Sequence, residues 1–225
     1  MFKKSLYVLA LSYLALAGAQ AQESSTKEVQ KGVRGDYVVQ DYSSLYGMPG
    51  FSKELLAMHF QLYAGYVKNS NWLMAKLQKM LEDGQASSYE YGALKRRFGW
   101  EFDGMRLHEL YFENLGGKKA IEQDSSLFAR IEKDFGSYEL WEKDFRATGA
   151  IRGIGWVVLY EDPLTGSLVN AWINEHDLGH LAGGTPLLVM DVFEHAYITQ
   201  YGLDRAKYIE AFFQNIRWDV VQKRL

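Results

Sequence analysis

Five histidines and one aspartate are the residues of this chain best suited to bind a metal ion. A single histidine on an apolar helix face is usually a packed core residue, but here several candidates share a pattern. His59 and His108 each fall on the apolar face of a predicted helix. Asp191 ends a strongly apolar segment, where an unpaired carboxylate is costly to bury, and His195 follows four residues later. A metal ion bound by these four residues would explain why three imidazoles and a carboxylate point inward.

A second arrangement, His176 with His180, offers a different metal site. Histidines four residues apart share one face of a helix and can bind zinc there. Gly179 between them and Gly183-Gly184 after them favour a loop instead. In a loop, the spacing no longer brings the two rings together, so this pair is the weaker hypothesis.

Two long helices are predicted to carry the first two candidate histidines. Residues 52–54 (SKE) are typical of a helix start, and apolar residues recur at helical spacing from Leu55 to Leu81. A second segment of the same period runs from about Tyr89 or Phe102 to Leu115, and Gly116-Gly117 ends it. Two helices joined by a short polar turn form an antiparallel helical hairpin.

The pattern changes after Gly117, where shorter helices and β-favouring runs alternate with turns. The predicted elements are, in chain order, helices at Lys119–Phe135 and Ser137–Ala150, strands at Gly155–Tyr160, Leu168–Ile173 and Leu187–Met190, and a helix at Ala206–Val221. We therefore expect an α+β fold, in which the helical hairpin precedes a domain with a small three-stranded antiparallel sheet and surrounding helices.

Composition and charge narrow the classes of protein to which the chain can belong. Its 225 residues are 48% hydrophobic and 24% charged, which is typical of a globular protein and not of a disordered or coiled-coil one. A formal net charge of -3 gives no basic footprint for nucleic acid or anionic lipid, so we expect neither as a partner. The chain contains no cysteine, which excludes disulfides and lipidation at a cysteine.

The first residues have the pattern of a secretory signal peptide. Lys3 and Lys4 precede an apolar run at Leu6–Ala17, and Ala19-Gln20-Ala21 puts small residues where signal peptidase cleaves. The apolar run is too short to span a hydrocarbon core of about 30 Å, which argues against a membrane anchor. We expect an exported protein, periplasmic or secreted, with no membrane segment after cleavage near Ala21.

The segment after the cleavage site is polar and has no sustained period, so we expect a flexible lead-in there. The predicted organisation is a signal peptide at 1–21, this lead-in at 22–44, an N-terminal helical hairpin domain at 45–117 and a C-terminal α/β domain at 118–225.

Four short motifs, in family order, resemble the iron/manganese superoxide dismutases. The motifs are YVKN at Tyr66–Asn69 with His59 upstream, His108 with Tyr111, GIGW at Gly153–Trp156, and MDVFEHAY at Met190–Tyr197. The first is similar to the family's Y-V-x-N stretch, the third to its G-S-G-W strand start, and the last to its D-V-W-E-H-A-Y signature. The resemblance extends from about Tyr46 to Trp218.

The resemblance implies a role for each matching residue. The implied metal ligands are His59, His108, Asp191 and His195, holding one iron or manganese ion per subunit with solvent at a fifth position. Tyr66 would be the phenol at the substrate funnel, and Trp156 and Phe193 would form the hydrophobic wall around the metal. Glu194 would reach across a homodimer interface to the fourth ligand of a second copy.

The chain departs from the family's pattern beside the expected metal. In the family, a glutamine forms a hydrogen bond to the metal-bound solvent, and it occupies one of two positions. One position corresponds to Gly104 of this chain. The other lies in the loop after the second strand, and alignment of Asp177 with the family's aspartate places His176 there. We hypothesise that His176 takes over that hydrogen bond and, unlike glutamine, titrates near neutral pH. The family's gateway histidine at the funnel is absent, because Leu62-Tyr63-Ala64 occupy that stretch. Its tyrosine partner across the dimer is also absent, because Ile198 occupies that position. Tyr63 is the candidate substitute for that gateway.

The expected activity is superoxide dismutation, in which a metal ion cycling between M(III) and M(II) converts superoxide to dioxygen and hydrogen peroxide. The alternative is an exported pseudoenzyme or interaction protein on the same fold, favoured by the altered surroundings of the metal. A non-haem iron oxygenase needs open positions beside two histidines and one carboxylate, and a third histidine argues against it. A zinc hydrolase is the other remaining alternative. The choice between iron and manganese, and between dimer and tetramer, stays open at this stage.

Overall fold

Two long helices form the first half of the fold. The structure is a computed structural model and describes residues 36–225. Helix α1 spans Lys53–Glu82 and helix α2 spans Tyr89–Glu113, and the two pack along each other. Each begins at a serine, Ser52 or Ser88, whose hydroxyl accepts a 3.1 Å hydrogen bond from the backbone N–H three residues later. The predicted hairpin is confirmed, and its second helix starts at the earlier of the two expected positions.

Two shorter helices follow, α3 at Ser126–Phe135 and α4 at Tyr138–Gly149. Helix α3 starts seven residues later than the predicted Lys119, because the hydroxyl of Ser125 caps it. Gly136 separates the two helices with φ of +87°, a left-handed conformation that residues with a Cβ rarely adopt.

A three-stranded antiparallel sheet lies at the centre of the C-terminal half. Its strands are β1 at Gly155–Glu161, β2 at Leu168–Asn174 and β3 at Thr185–Asp191, in the spatial order β2-β1-β3. Helix α2 packs against β3, and α4 packs against β1 and β2. The register pairs Trp156 with Asp191 on one side and with Ile173 on the other. Consequently one end of the sheet contains the start of β1 together with the ends of β2 and β3.

The chain ends in three short helices, α5 at Ile198–Tyr201, α6 at Arg205–Phe213 and α7 at Trp218–Lys223. The prediction of one helix over Ala206–Val221 is therefore wrong. Between α6 and α7, the carbonyl of Asn215 and the N–H of Arg217 form hydrogen bonds to residues after α2, so the helix is interrupted.

The bonds that break the last helix join the tail to the residues after α2. The carbonyl of Asn215 accepts from the N–H of Gly117 at 2.8 Å, and the N–H of Arg217 donates to the carbonyl of Asn114 at 2.9 Å. A Cβ on Gly117 would lie 2.0 Å from the Ile216 carbonyl oxygen, so only glycine permits this contact.

The residues described before α1 contact the hairpin. The backbone N–H and carbonyl of Tyr37 both bond to the side chain of Asn71 on α1, each at 2.8 Å. The Tyr37 ring also packs edge-on against Phe102 of α2. The part of the predicted lead-in that the structure describes is therefore bonded and packed against the hairpin at Tyr37. The predicted signal peptide and cleavage site lie outside the described residues, and within 36–225 no helix is long and apolar enough to cross a membrane.

Candidate metal centre

Four side chains from four different places in the chain converge between the hairpin and the sheet. His59 comes from α1, His108 from α2, Asp191 from the end of β3, and His195 from a short 3-10 turn at Glu194–Ala196. One potential ligand atom from each lies within 4.8 Å of the others. The first three residues are buried, and the His195 side chain is 22% exposed.

The carboxylate of Asp191 is the centre of this cluster. Its Oδ2 lies 3.1 Å from His59 Nε2, 3.0 Å from His195 Nε2 and 3.7 Å from His108 Nε2. Its Oδ1 accepts a 2.8 Å hydrogen bond from the N–H of Phe193, and its backbone carbonyl accepts from the Tyr208 hydroxyl. One carboxylate oxygen is therefore held by the backbone, while the other faces the three imidazoles.

The orientation of His108 fits a metal ligand. A carbonyl only accepts, so His108 must donate its Nδ1–H to Gly104, at 2.5 Å, and its Nε2 then carries a lone pair. This Nε2 is buried and has no hydrogen-bond partner among the residues that the structure describes. A metal ion would satisfy it, and three imidazoles with one carboxylate suit iron or manganese. The residues present therefore fit such an ion.

Burial controls the ionisation of the cluster in the absence of metal. It lowers the pKa of His59 and of His108 below the ordinary histidine value, since it disfavours the charged imidazolium. Burial alone would raise the pKa of Asp191, but the charge and hydrogen bonds of His195 and His59 outweigh it and hold that pKa well below its usual range. His59 and His108 are thus ready to offer neutral imidazoles beside an ionised Asp191 carboxylate at neutral pH.

These shifts predict how the metal-free protein responds to acid. His59 and His108 have lowered pKa values in the folded chain, so below about pH 6.5 the unfolded chain binds more protons than the folded one. Stability is therefore lost as the pH falls. We expect the thermal unfolding midpoint of metal-free protein to drop by at least about 3 °C between pH 7.5 and pH 5. His108→Gln should show a smaller drop, and equal midpoints at both pH values for the unaltered chain would contradict this expectation.

His176 lies in the loop after β2 and is fully buried. The indole N–H of Trp156 donates to its Nδ1 at 3.1 Å, so the neutral ring carries its hydrogen on Nε2. That Nε2 lies 2.7 Å from the hydroxyl of Tyr66, which accepts from it. Burial lowers the pKa of His176 to about 4 and raises that of Tyr66, so both are neutral at pH 7. The expectation that His176 titrates near neutral pH is therefore wrong for the folded chain.

Aromatic rings enclose the cluster on the sheet side. The Trp156 ring lies edge-on to His108, with ring centroids 5.0 Å apart. The Phe193 ring stacks on His195 at 5.0 Å and on His176 at 4.6 Å. Both rings are at least nine-tenths buried and contact ligand imidazoles on the sheet side of the cluster.

Comparison with known proteins decides the family. The family model for the C-terminal domain of iron/manganese superoxide dismutases matches residues 123–224. An iron superoxide dismutase of Cupriavidus metallidurans is 41% identical to this chain over 175 residues, which are 76% of this chain and 86% of that protein. The chain belongs to the iron/manganese superoxide dismutase family.

Similar members of this family differ in the metal that they are named for. An iron superoxide dismutase of Aquifex aeolicus is 37% identical over 190 residues, covering 82% of this chain and 89% of that protein. A manganese superoxide dismutase of Haloferax volcanii is 36% identical over 172 residues, covering 76% of this chain and 85% of that protein. Family membership therefore establishes an iron/manganese dismutase fold and leaves the choice of metal open.

The space beside Gly104 explains one departure of this chain from the superoxide dismutase pattern. A Cβ at Gly104 would lie 2.8 Å from the ring of Tyr66, which packs directly over the glycine. The position where some members carry the solvent-bonding glutamine is thus filled here by the Tyr66 ring, and a longer side chain there would displace that tyrosine.

Tyr63 does not take the gateway position that the sequence suggested. Its side chain is fully buried, and its hydroxyl donates to Glu109 at 2.9 Å and accepts from the N–H of Gln40 at 3.1 Å. A gateway residue in this dismutase family must face the substrate funnel, so this part of the hypothesis is wrong. Tyr63 fastens the residues before α1 to α2 instead.

The pair His176 and His180 does not form a zinc site. The hydroxyl of Tyr160 donates to His180 Nδ1, and His180 Nε2 donates to the backbone carbonyl of His176, both at 2.8 Å. Both nitrogens of His180 are thus committed to protein partners. Asn174 and Leu178 pair across this segment, which is a closed loop and not a helix.

The sequence reasoning missed two residues that contact the site. The Trp100 ring lies edge-on to His176, with centroids 4.8 Å apart, and Tyr208 donates its hydroxyl to the Asp191 carbonyl. Trp100 lies two turns before His108 on the same helix, which is a usable signal. Nothing in the local pattern around Tyr208 pointed to the metal centre.

Proposed function

We propose that this chain is an active superoxide dismutase that holds one iron or manganese ion per subunit through His59, His108, Asp191 and His195. The observation that carries the proposal is the convergence of these four side chains, with one buried imidazole nitrogen, His108 Nε2, left without a partner among the described residues. A bound ion would supply one-electron redox chemistry, by which two superoxide anions and two protons become dioxygen and hydrogen peroxide.

The protein's own residues have three tasks in this proposal. The hydrogen bonds of His108 to Gly104 and of Asp191 to the Phe193 N–H orient ligand atoms before any ion binds. Trp156 and Phe193 restrict water. Tyr66 holds a phenolic proton beside the site and, because its pKa is raised, keeps it at neutral pH.

We propose that His176 stands in for the family's solvent-bonding glutamine, with one physical difference. A glutamine amide has two N–H groups, whereas a neutral imidazole has one. The single N–H of His176 faces Tyr66 and the other nitrogen accepts from Trp156, so it can bond solvent only by sharing or releasing Tyr66. We infer that solvent next to the cluster receives a weaker hydrogen bond than a glutamine would give, and that this shifts the preference between iron and manganese.

Product stoichiometry tests the proposed activity. Protein loaded with iron or manganese should give one dioxygen and one hydrogen peroxide for every two superoxide anions, at a rate far above that of the metal-free protein. One peroxide per superoxide without dioxygen would indicate a reductase, and no turnover with either metal would indicate a pseudoenzyme on this fold.

We propose that the protein is a homodimer in which Glu194 of each copy reaches His195 of the other. The side chain of Glu194 is exposed and His195 is partly exposed, which supports such a contact. Light scattering should give twice the chain mass, and Glu194→Gln should shift the protein toward monomer. A monomer at micromolar concentration would overturn this proposal.

We also propose that the protein is exported, with cleavage after Ala21. The pattern of Lys3, Lys4, the apolar run and Ala19-Gln20-Ala21 supports it. Amino-terminal sequencing of protein from the periplasm or medium of an expressing bacterium should begin at Gln22. An intact Met1 confined to the cytosolic fraction would contradict export.

A further inference from the structure

A paired arginine and glutamate lie on α2, about three and two turns before His108. The Arg97 guanidinium donates through Nε to Glu101 at 2.8 Å, and its Nη2 lies 2.6 Å from the same oxygen. The Glu101 side chain is only 4% exposed, whereas that of Arg97 is 54% exposed. Asn69 donates to the second oxygen of the glutamate at 3.2 Å. The pair is therefore a buried carboxylate covered by an outward-facing cation.

This pair lies beside Tyr66 and His176, whose side chains bond to each other. The Arg97 guanidinium lies 5.0 Å from the centre of the Trp100 ring, and that ring lies 4.8 Å from His176. On the facing helix, Asn69 is one turn beyond Tyr66, so its bond to Glu101 brings the carboxylate close to the phenol. In agreement, burial chiefly raises the pKa of Tyr66, the Glu101 charge adds to that rise and the Arg97 charge opposes it. Burial chiefly lowers the pKa of His176, and the Arg97 charge lowers it further.

The sign of these charges matters because the proposed substrate is an anion. An unneutralised carboxylate between the two helices would repel superoxide from Tyr66. Asp103 adds a further acidic group on α2, near His180, and the chain as a whole carries a formal charge of -3. Arg97 is the cation that pairs directly with Glu101.

We propose that Arg97 determines the access of superoxide to the Tyr66 side of the metal centre by neutralising Glu101. This inference rests on the proposed dismutase function. Arg97 itself touches none of the four ligands in the described contacts, so it is a specificity-determining residue and not a catalytic one.

Four variants of metal-loaded protein test the inference: Arg97→Gln, Arg97→Lys, Glu101→Gln and the double variant R97Q/E101Q. At pH 8 and low salt, we expect Arg97→Gln to lower kcat/KM for superoxide by about threefold to tenfold while metal content is unchanged. Because the defect is a repulsion, kcat/KM of this variant should rise with added salt, and the gap to the unaltered protein should close. Arg97→Lys and the double variant should both lie within about twofold of the unaltered protein.

The matched control is Arg130→Gln, which removes an arginine that pairs with the partly buried Glu161 away from the metal centre. It changes the net charge by the same amount and should leave kcat/KM and its salt dependence unchanged. The affinity for azide, a stable small anion, gives a readout independent of turnover and should weaken in Arg97→Gln and recover in the double variant.

The inference is overturned if Arg97→Gln behaves like Arg130→Gln, or if the double variant is as slow as Arg97→Gln. The second result would mean that Arg97 supports the fold and not the charge balance. An inactive unaltered protein would instead contradict the proposed function, so the two failures are distinguishable.

Discussion

Replacing Asp191 with asparagine is expected to leave the purified protein without bound iron or manganese and to lower superoxide dismutation by more than about a hundredfold. Asp191 is the only carboxylate in the four-residue cluster, and its Oδ2 faces all three imidazoles. An amide keeps the shape of the side chain but provides no negative charge for a cation. Metal analysis and the rate of superoxide decay, measured on the same sample, check both expectations.

The matched control for this prediction is Asp134→Asn. Asp134 accepts a 2.7 Å hydrogen bond from the N–H of Leu168, much as Asp191 accepts from Phe193, but it lies outside the cluster. We expect this variant to keep its metal and its rate. Full metal occupancy and normal turnover in Asp191→Asn would show that the ion binds elsewhere.

Replacing His176 with leucine is expected to lower the rate of dismutation by about tenfold to a hundredfold and to destabilise the fold by about 1–3 kcal/mol. Leucine leaves the buried indole N–H of Trp156 without an acceptor and releases the hydroxyl of Tyr66. Rates with iron and with manganese, together with denaturant unfolding of the metal-free protein, measure these losses.

The variant His176→Gln keeps the hydrogen bonds of the side chain but removes its titratable ring, so it distinguishes the two effects. The amide oxygen of glutamine accepts from Trp156 and its NH2 group donates to Tyr66, so we expect stability within about 1 kcal/mol of the unaltered protein. The second N–H remains for solvent, and the ratio of iron to manganese activity should change. The pH profile should differ only at low pH, because the pKa of His176 is about 4. An unchanged metal preference would refute the role proposed for His176.

The convergence of the four candidate ligands was predictable from the sequence because these residues carry local signals. Asp191 follows an apolar strand, and His59 and His108 fall on the apolar faces of periodic helices, so each position has a buried polar group that needs a partner. The bounds of the three strands were also predicted to within two residues at each end. The local sequence was informative there because β1 and β3 are almost continuously apolar.

The sequence was less informative where a distant contact overrides the local pattern. The helical period of residues 206–221 is genuine, but Gly117 and Asn114 bond the backbone around Asn215 and split the helix. Tyr63 shares the helix of the first ligand, yet its hydroxyl is directed by Glu109 and by the backbone of Gln40. Neither partner is near in sequence, so periodicity gives no warning of it.

A metal titration tests the central claim most directly. Metal-free protein should receive increasing Fe(II) or Mn(II), and superoxide decay should be measured at each step. With at least one of the two metals, the proposal predicts that the rate of superoxide decay rises linearly up to one equivalent of metal per subunit. Beyond that point the rate should stay constant. Stoichiometric binding of both metals without turnover would contradict it and would identify a pseudoenzyme built on the dismutase fold.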